Sequence, residues 1–176
     1  METTRPEPTG RNAPTAAARA AVLLLLAAGS VIGVHAQAPG ADRTETPDRT
    51  ETLFLAGHRL VAEVADTDAA RLRGLMYRTR LAPDHGMLFV FDPPDEYCMW
   101  MRNTRLPLSV AFLDARGAVI NVEVMQPQTD DRHCARRPAS YALEMTQGWF
   151  SAHSIRNGAV LSGMSGVRNS SPQSPN

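Results

Sequence analysis

Turn-forming residues recur through the middle of the chain at short intervals. Ala56-Gly57-His58, Pro83-Asp84-His85-Gly86, Asp92-Pro93-Pro94-Asp95 and Asp114-Ala115-Arg116-Gly117 separate short apolar or alternating segments. Proline and glycine at these positions prevent long helices, because proline lacks an N–H and glycine is conformationally free. Short strands with turns about every 8–12 residues predict a mainly β domain, either a two-sheet sandwich or a distorted barrel, with one or two short helices.

The same turns set the bounds of the predicted elements. Strands are predicted at residues 53–55, 60–64, 87–91, 97–101, 108–113, 118–124, 141–145 and 159–161. A short helix is predicted from an N-cap at Asp66-Thr67-Asp68 to Arg73, where Gly74 can end it with a positive φ angle. A second short helix is predicted near residues 151–155. Asp92-Pro93-Pro94-Asp95 is predicted to be a turn, because two prolines do not fit a central strand.

Residues 1–38 have the pattern of a secretory signal peptide. Arg11 and Arg19 precede an apolar run over residues 20–28, and Val34-His35-Ala36 and Ala36-Gln37-Ala38 both fit a small-x-small cleavage site. The run is shorter than the roughly 20 residues that a spanning helix needs. The sequence therefore predicts a periplasmic or secreted protein, which contacts a membrane only if the segment stays uncleaved.

Composition divides the remaining chain into three parts. Residues 39–51 are polar and are predicted to be a flexible linker, residues 52–164 form the predicted β domain, and residues 165–176 are predicted to be a disordered tail. The chain has 18 basic and 18 acidic residues, and removing residues 1–38 leaves 15 basic against 16 acidic. Without a basic excess, nucleic acid is not predicted as a partner.

Cys98 and Cys134 are the only cysteines in the chain. In an exported protein such a pair is expected to form a disulfide. Two buried free thiols or a shared soft-metal site are the alternatives. Methionine, cysteine and histidine are soft ligands for Cu(I), but the methionines are scattered. We therefore predict no bound metal and no cofactor, with a copper-binding protein as an alternative.

The stretch from Cys98 to Leu108 is the best candidate for a recognition site. An apolar segment that contains Trp100 runs into a polar turn with Asn103 and Thr104. The amide and hydroxyl could bind a ligand, or they could equally bond to backbone groups of the turn. Trp100 is predicted to be a core residue rather than a stacking platform, although it stays a ligand-binding candidate.

Arg73 and Glu144 are the charged candidates. The Arg73 guanidinium could bind a carboxylate or phosphate, or it could pair structurally with Asp66, Asp68 or Glu144. Glu144 interrupts the apolar strand at residues 141–145. If its side chain points inward, the carboxylate needs Arg73 or another donor, because an unpaired buried charge is costly.

Seven motifs carry a resemblance to a known family. They are Asp66-Thr67, Arg73-Gly74-Leu75-Met76, Gly86-Met87-Leu88-Phe89, Trp100-Met101-x-Asn103-Thr104, Pro107-Leu108, Tyr141-x-Leu143-Glu144 and Gly148-Trp149. In this order they resemble the DUF192 (UPF0127) family over about residues 53–162. The resemblance implies a mainly β, jelly-roll-like fold and no defined activity. The family usually has Asp after Pro-Leu, where this chain has Ser109.

The sequence predicts an exported, non-catalytic domain that binds a small polar ligand or a periplasmic protein. The ligand-binding candidates are Arg73, Trp100, Asn103, Thr104 and Glu144. A periplasmic enzyme that uses Glu144 with Arg73 and His133 is the alternative. No nucleophile and base are placed together by the sequence, so no catalytic residue is assigned.

Export makes a direct prediction about the N-terminus of the mature protein. We expect cleavage after Ala36 or Ala38, because both end a small-x-small site. N-terminal sequencing of the protein from a periplasmic fraction should therefore begin at Gln37 or Pro39. Intact Met1 in the membrane pellet would instead identify residues 1–38 as an anchor.

Overall fold

The computed structural model of the chain describes residues 49–168. The predicted signal peptide, most of the predicted linker and most of the predicted tail lie outside these residues. Within residues 49–168, no helix is both long enough and apolar enough to span a lipid bilayer.

Nine strands and three short helices make up the described part of the chain. In order they are β1 (Thr50–Leu55), β2 (His58–Ala65), α1 (Asp68–Arg73), β3 (His85–Asp95), β4 (Cys98–Met99), β5 (Leu108–Leu113), β6 (Val119–Met125), β7 (His133–Cys134), β8 (Ala139–Thr146), α2 (Trp149–Ala152), β9 (Leu161–Ser162) and α3 (Ser165–Arg168). Seven strands form one sheet in the order β6-β5-β8-β3-β2-β1-β9, and β4 pairs with β7 in a small second sheet. Among the strand pairs of residues 49–168, only β2–β3 is parallel.

The mainly β fold predicted from the sequence is confirmed. The large sheet curls into a half-barrel beside the two-stranded sheet, so the architecture is closer to the distorted barrel than to a sandwich of two similar sheets. The β1–β2 hairpin turns at Ala56 and Gly57, whose φ angles are 49° and 86°. Positive φ angles in a two-residue turn match the twist of the flanking strands, and glycine adopts them readily, which explains its presence at position 57.

The two central strands β5 and β8 are buried on both faces. All six residues of β5 are buried, and so are the first seven of β8. Alternate side chains point to opposite faces of the sheet and enter two separate core clusters. Ala111 and Leu143 belong to the first cluster, and Val110 and Phe112 belong to the second. The second cluster forms the floor of the candidate site.

The predicted turn at residues 92–95 is wrong. Strand β3 continues through both prolines to Asp95, which pairs with Ala139 of β8. The register of the β3–β8 pair shifts between Val90 and Asp95. The prolines fall inside this irregular interval, where the ladder does not require their missing N–H groups.

Other boundaries also differ from the predicted ones. The predicted strand at 97–101 is only Cys98–Met99, because it pairs with the equally short β7. Helix α2 begins at Trp149 instead of Ser151. The domain extends into the predicted linker, where β1 begins at Thr50, and into the predicted tail, where α3 buries Val167 to 1% exposure.

A disulfide joins Cys98 and Cys134, as expected from the sequence. The two residues lie directly opposite each other in the β4–β7 pair. They are 36 positions apart in the chain. The bond therefore ties the loop after β6 to the short segment that follows β3.

Removing this cross-link should destabilise the domain. We expect the double variant Cys98→Ala/Cys134→Ala to lose about 3–4 kcal/mol of unfolding free energy, because closing a loop of this length restricts the unfolded chain. Urea unfolding of both proteins measures the difference, and reduced wild type serves as the control that should match the variant. Two titratable thiols in denatured, unreduced protein would contradict the bond.

Candidate functional site

The candidate site is a cleft between α1 and the segment that carries Cys98. We name Tyr97–Trp100 the strap. The outer cleft has a volume of about 380 Å³ and is lined by Asp68, Arg71, Leu72, Phe89, Phe91, Asp92, Tyr97, Cys98, Met99 and Trp100. Five of these residues also line a smaller space of about 30 Å³, the inner cavity, together with Arg73, Gly74, Leu75, Met76, Thr104 and Glu144. The shared residues make the two spaces neighbours.

Helix α1 is fixed at one side of the cleft by Arg71. Its guanidinium donates to the backbone oxygens of Asp66, at 2.8 Å, and Val90, at 2.7 Å, and it pairs with Asp68. Thr67 caps the helix, with its hydroxyl accepting from the Ala70 N–H at 3.2 Å. Arg71 thus links a six-residue helix to strand β3, which such a short helix needs because it is marginal by itself.

The turn after α1 brings the chain over the second core cluster. Gly74 has a φ angle of 47°, and a Cβ at this position would lie 3.3 Å from the Phe89 ring. Glycine therefore serves both the backbone conformation and the close approach. Leu75 follows at 2% exposure, and the Tyr77 N–H donates to the Asn103 carbonyl at 2.9 Å. That bond joins the turn to the loop after the strap.

The strap is held at both of its ends. Tyr97 stacks on Phe91 with ring centroids 4.0 Å apart, and its hydroxyl donates to the Pro93 carbonyl at 2.8 Å. The disulfide at Cys98 fixes it to β7. At the other end, Met101 is fully buried and its N–H donates to the Thr129 carbonyl at 3.1 Å.

Trp100 is 46% exposed, so the predicted core position is wrong. Met101 takes the buried position beside it, and the indole lies on the wall shared by the outer cleft and the inner cavity. The Arg102 guanidinium carbon stands 4.6 Å from the centre of the indole ring and is held there by Asp130. The prediction assumed that side chains alternate along a strand through Trp100, but the strand ends at Met99.

Glu144 is the buried acid at the bottom of the inner cavity. It is 4% exposed and lies between Met87 of β3 and Val110 of β5. A Cβ at Gly86 would come within 2.3 Å of the Glu144 carbonyl, so glycine allows the two strands to approach. Among residues 49–168, the Glu144 carboxyl has neither a hydrogen-bond nor an ion-pair partner. Burial alone raises its pKa from 4.5 to about 8, so the group is mostly a neutral acid at pH 7.

Four of the five candidate residues therefore line one space. Arg73, Trp100, Thr104 and Glu144 surround the inner cavity. Asn103 lies beside it with a φ angle of 58°, and its amide nitrogen is 3.8 Å from the Met76 sulfur. Burial is the only cause of the raised pKa of Glu144, so the ion pair considered between Arg73 and Glu144 makes no contribution to it. That these residues bind a ligand stays a prediction.

The residues that shape the outer cleft were not predicted from the sequence. Arg71 fixes α1, and Leu72, Phe91 and Tyr97 supply apolar lining. The i,i+3 spacing of Asp68 and Arg71 was a signal for the helix clamp. No comparable signal existed for the lining, because it combines segments that are distant in the chain.

The two alternative functions, an enzyme that uses His133 and a copper-binding protein, lose part of their support in this geometry. His133 lies on β7 opposite Met99 and is not among the residues that line the inner cavity. Cys98 and Cys134 are joined and cannot act as thiolates for a soft metal. In the described part of the chain, no three His, Cys, Asp or Glu side chains are grouped closely enough to hold a metal ion.

Comparisons with known proteins identify the family through one family model and leave the activity open. A family model, DUF192, described as "Uncharacterized ACR", matches residues 51–163. No curated protein matches the chain. A candidate transcription regulator of Sinorhizobium meliloti 1021 is 36% identical, with a TM-score of 0.63, and the match covers 65% of this chain and 94% of that one. A protein of unknown function from Novosphingobium aromaticivorans DSM 12444 is 29% identical, with a TM-score of 0.64 and coverage of 76% and 99%.

The buried acid predicts how stability changes with pH. The folded protein holds this proton more tightly than the unfolded chain, so the pKa difference makes the folded state lose stability as pH rises from 4.5 to about 8. The free energy of unfolding of Glu144→Gln lacks this loss. The difference between the variant and wild type should therefore shift by about 3–5 kcal/mol in favour of the variant as the pH rises from 5 to 9. Urea unfolding at several pH values measures this difference. The exposed control Glu96→Gln should follow wild type, and a constant offset between Glu144→Gln and wild type would contradict the prediction.

Proposed function

This chain belongs to the DUF192 family, and on that premise we propose that it is an exported, non-catalytic domain that binds a small molecule in the outer cleft and inner cavity. The observation that carries the proposal is Glu144. A buried carboxyl without a partner is destabilising, and proteins keep such groups mainly at functional sites. A ligand that enters the inner cavity supplies the missing partner.

The outer cleft has the size and lining of a small-molecule site. Its volume of about 380 Å³ falls within the roughly 300–1,000 Å³ of such pockets, and its lining combines aromatic and aliphatic side chains with a few charges. Leu72 and Trp100 are 68% and 46% exposed at this place. Exposed large apolar side chains beside a pocket favour a ligand with an apolar part.

The proposal of export is supported by the signal-like segment and by the disulfide. A cross-link between Cys98 and Cys134 persists in an oxidising compartment, whereas cytosolic thiols are kept reduced. The regulator role named for the Sinorhizobium protein is not part of the proposal. The chain has a net charge of zero, without the basic excess that DNA binding requires.

Binding without catalysis is favoured by the neighbours of Glu144. An acid catalyst needs a second group that activates a nucleophile or stabilises developing charge within reach of the same atom. Arg73 and Thr104 share the inner cavity with Glu144, but neither is a nucleophile paired with a base. Substitution of either Trp100 or Glu144 should therefore change the affinity of the site for its ligand.

Ligand capture tests the proposal directly. Protein purified from the periplasm of an expressing bacterium is incubated with periplasmic extract, and the retained small molecules are identified by mass spectrometry. We expect wild type to retain at least one compound, and Trp100→Ala to retain it roughly tenfold less, because the variant removes a large stacking surface.

The matched control is Phe54→Ala, which removes another exposed aromatic side chain. Phe54 is 42% exposed and lies on β1, away from the residues that line the cleft. This variant should retain the compound as wild type does. Equal losses in both variants, or no retained compound in any, would contradict a binding site at the cleft.

A further inference from the structure

The charged residues that line the outer cleft carry an acidic excess. They are Asp68, Arg71 and Asp92. The Arg71 guanidinium is already occupied, because it pairs with Asp68 and donates to two backbone oxygens. The charges of Asp68 and Arg71 therefore compensate each other. The charge of Asp92 is left as the net charge of the lining.

Asp92 begins a short acidic stretch beside the strap. Its carboxylate has neither a hydrogen-bond nor an ion-pair partner within residues 49–168. Asp95 and Glu96 follow at the same exposed edge, and no basic residue stands between them and Asp92 in the chain. The Asp95 carboxylate accepts only the Glu96 backbone N–H, at 2.7 Å, in the part of the chain that the structure describes. Its charge is therefore not balanced by a base.

Two other arginines near the cleft are engaged elsewhere. The Arg102 side chain donates to Asp130 at 2.8 Å, so its charge is balanced. Arg73 borders the inner cavity but not the outer cleft, and it has an interaction of its own. The unmatched charge at the outer cleft is therefore negative, and a cation is the ligand that such a charge attracts.

Four of the ten residues that line the outer cleft are aromatic. They are Phe89, Phe91, Tyr97 and Trp100. The face of an aromatic ring attracts a cation, because its quadrupole is negative there. Phe91 and Tyr97 stack on each other with centroids 4.0 Å apart, so the faces that they share are closed to a ligand. Trp100 is 46% exposed, and Arg102 already places one cation 4.6 Å from the centre of its ring. Since a guanidinium covers one face only, the other face stays open.

We propose, on the basis of the function proposed above, that the small molecule of the outer cleft is an organic cation, an alkylammonium or quaternary ammonium compound with an apolar body. The cationic group lies against Trp100 and near Asp92, whose charge attracts it without a hydrogen bond being required. The apolar body lies along Leu72 and Met99. The inner cavity of about 30 Å³ holds roughly two water-sized groups and is bordered by Arg73, so the cation stays in the outer cleft.

Three probes with one common body test the charge of the ligand. They are 3-phenylpropylamine, 3-phenyl-1-propanol and 3-phenylpropionate, titrated at pH 7 into the isotopically labelled full protein while backbone amide shifts are followed at Leu72, Met99 and Trp100. We expect the protonated amine to bind about fivefold more tightly than the alcohol, because it gains both a carboxylate and an aromatic face. The carboxylate should bind more weakly than the alcohol. Raising the ionic strength from about 0.05 M to about 0.5 M should reduce these differences, because salt screens exposed charges.

Two variants assign the two contacts. Asp92→Asn should reduce the preference for the amine over the alcohol to about twofold, because only the aromatic contact is left. The matched control Asp131→Asn removes another exposed acid, one that does not line the cleft, and should keep the preference at about fivefold. Trp100→Leu keeps an apolar side chain and should weaken binding of the amine more than binding of the alcohol.

The outcomes separate this inference from the function on which it rests. Equal or tighter binding of the alcohol or the carboxylate at the cleft overturns the cation and leaves a small-molecule site in place. The same holds if the preference for the amine is unchanged in Asp92→Asn and Trp100→Leu, or if the compound retained from periplasmic extract carries no positive charge. If no probe shifts the cleft residues and no compound is retained, both proposals are overturned.

Discussion

Burial of strand β8 on both faces is the constraint on which the candidate site depends. Because β3 and β5 flank it and two core clusters cover its faces, a side chain on this strand is separated from water. Glu144 is the one acidic residue of the strand, and its raised pKa follows from this burial and not from a charged neighbour. An apolar residue at this place would extend the second cluster between Met87 and Val110. The carboxyl instead borders the inner cavity.

The walls of the inner cavity and the outer cleft come from α1 and the strap. Neither segment is a strand of the large sheet, so the hydrogen bonds between its strands do not hold them. Helix α1 is held by the bonds of Arg71 to two backbone carbonyls, and the strap is held by the disulfide and by the stacking of Tyr97 on Phe91. Each attachment crosses between elements that are distant in the chain. Because the attachments are few and specific, the cleft lies between a rigid floor and two separately fixed walls. This is a common way for a stable scaffold to carry a binding site.

Local chemistry explains where prediction from the sequence succeeded. Three elements form as their local sequence predicts, because each depends on residues within a few positions of one another. They are the β1–β2 hairpin, the Thr67 cap of α1 and strand β5. The predictions for Trp100 and for the Asp92–Asp95 segment failed because both depend on pairing with distant strands. Pairing with β8 carries β3 past its prolines, and pairing with β7 ends β4 at Met99, so that Trp100 faces the cleft. Such long-range pairing overrides local preference.

The sequence by itself determined the mainly β fold, the family, the disulfide pair and the polar residues that break apolar motifs. Each of these depends on residue type, order or short-range periodicity. Tertiary structure alone decided that Arg73, Trp100, Thr104 and Glu144 share one cavity while Asn103 lies beside it. It also decided that burial, and not a charged neighbour, raises the pKa of Glu144. It also decided the apolar lining of the outer cleft. The physical reason is that a cavity is space left unfilled where distant segments pack together, and no local pattern in the chain records which side chains will border it.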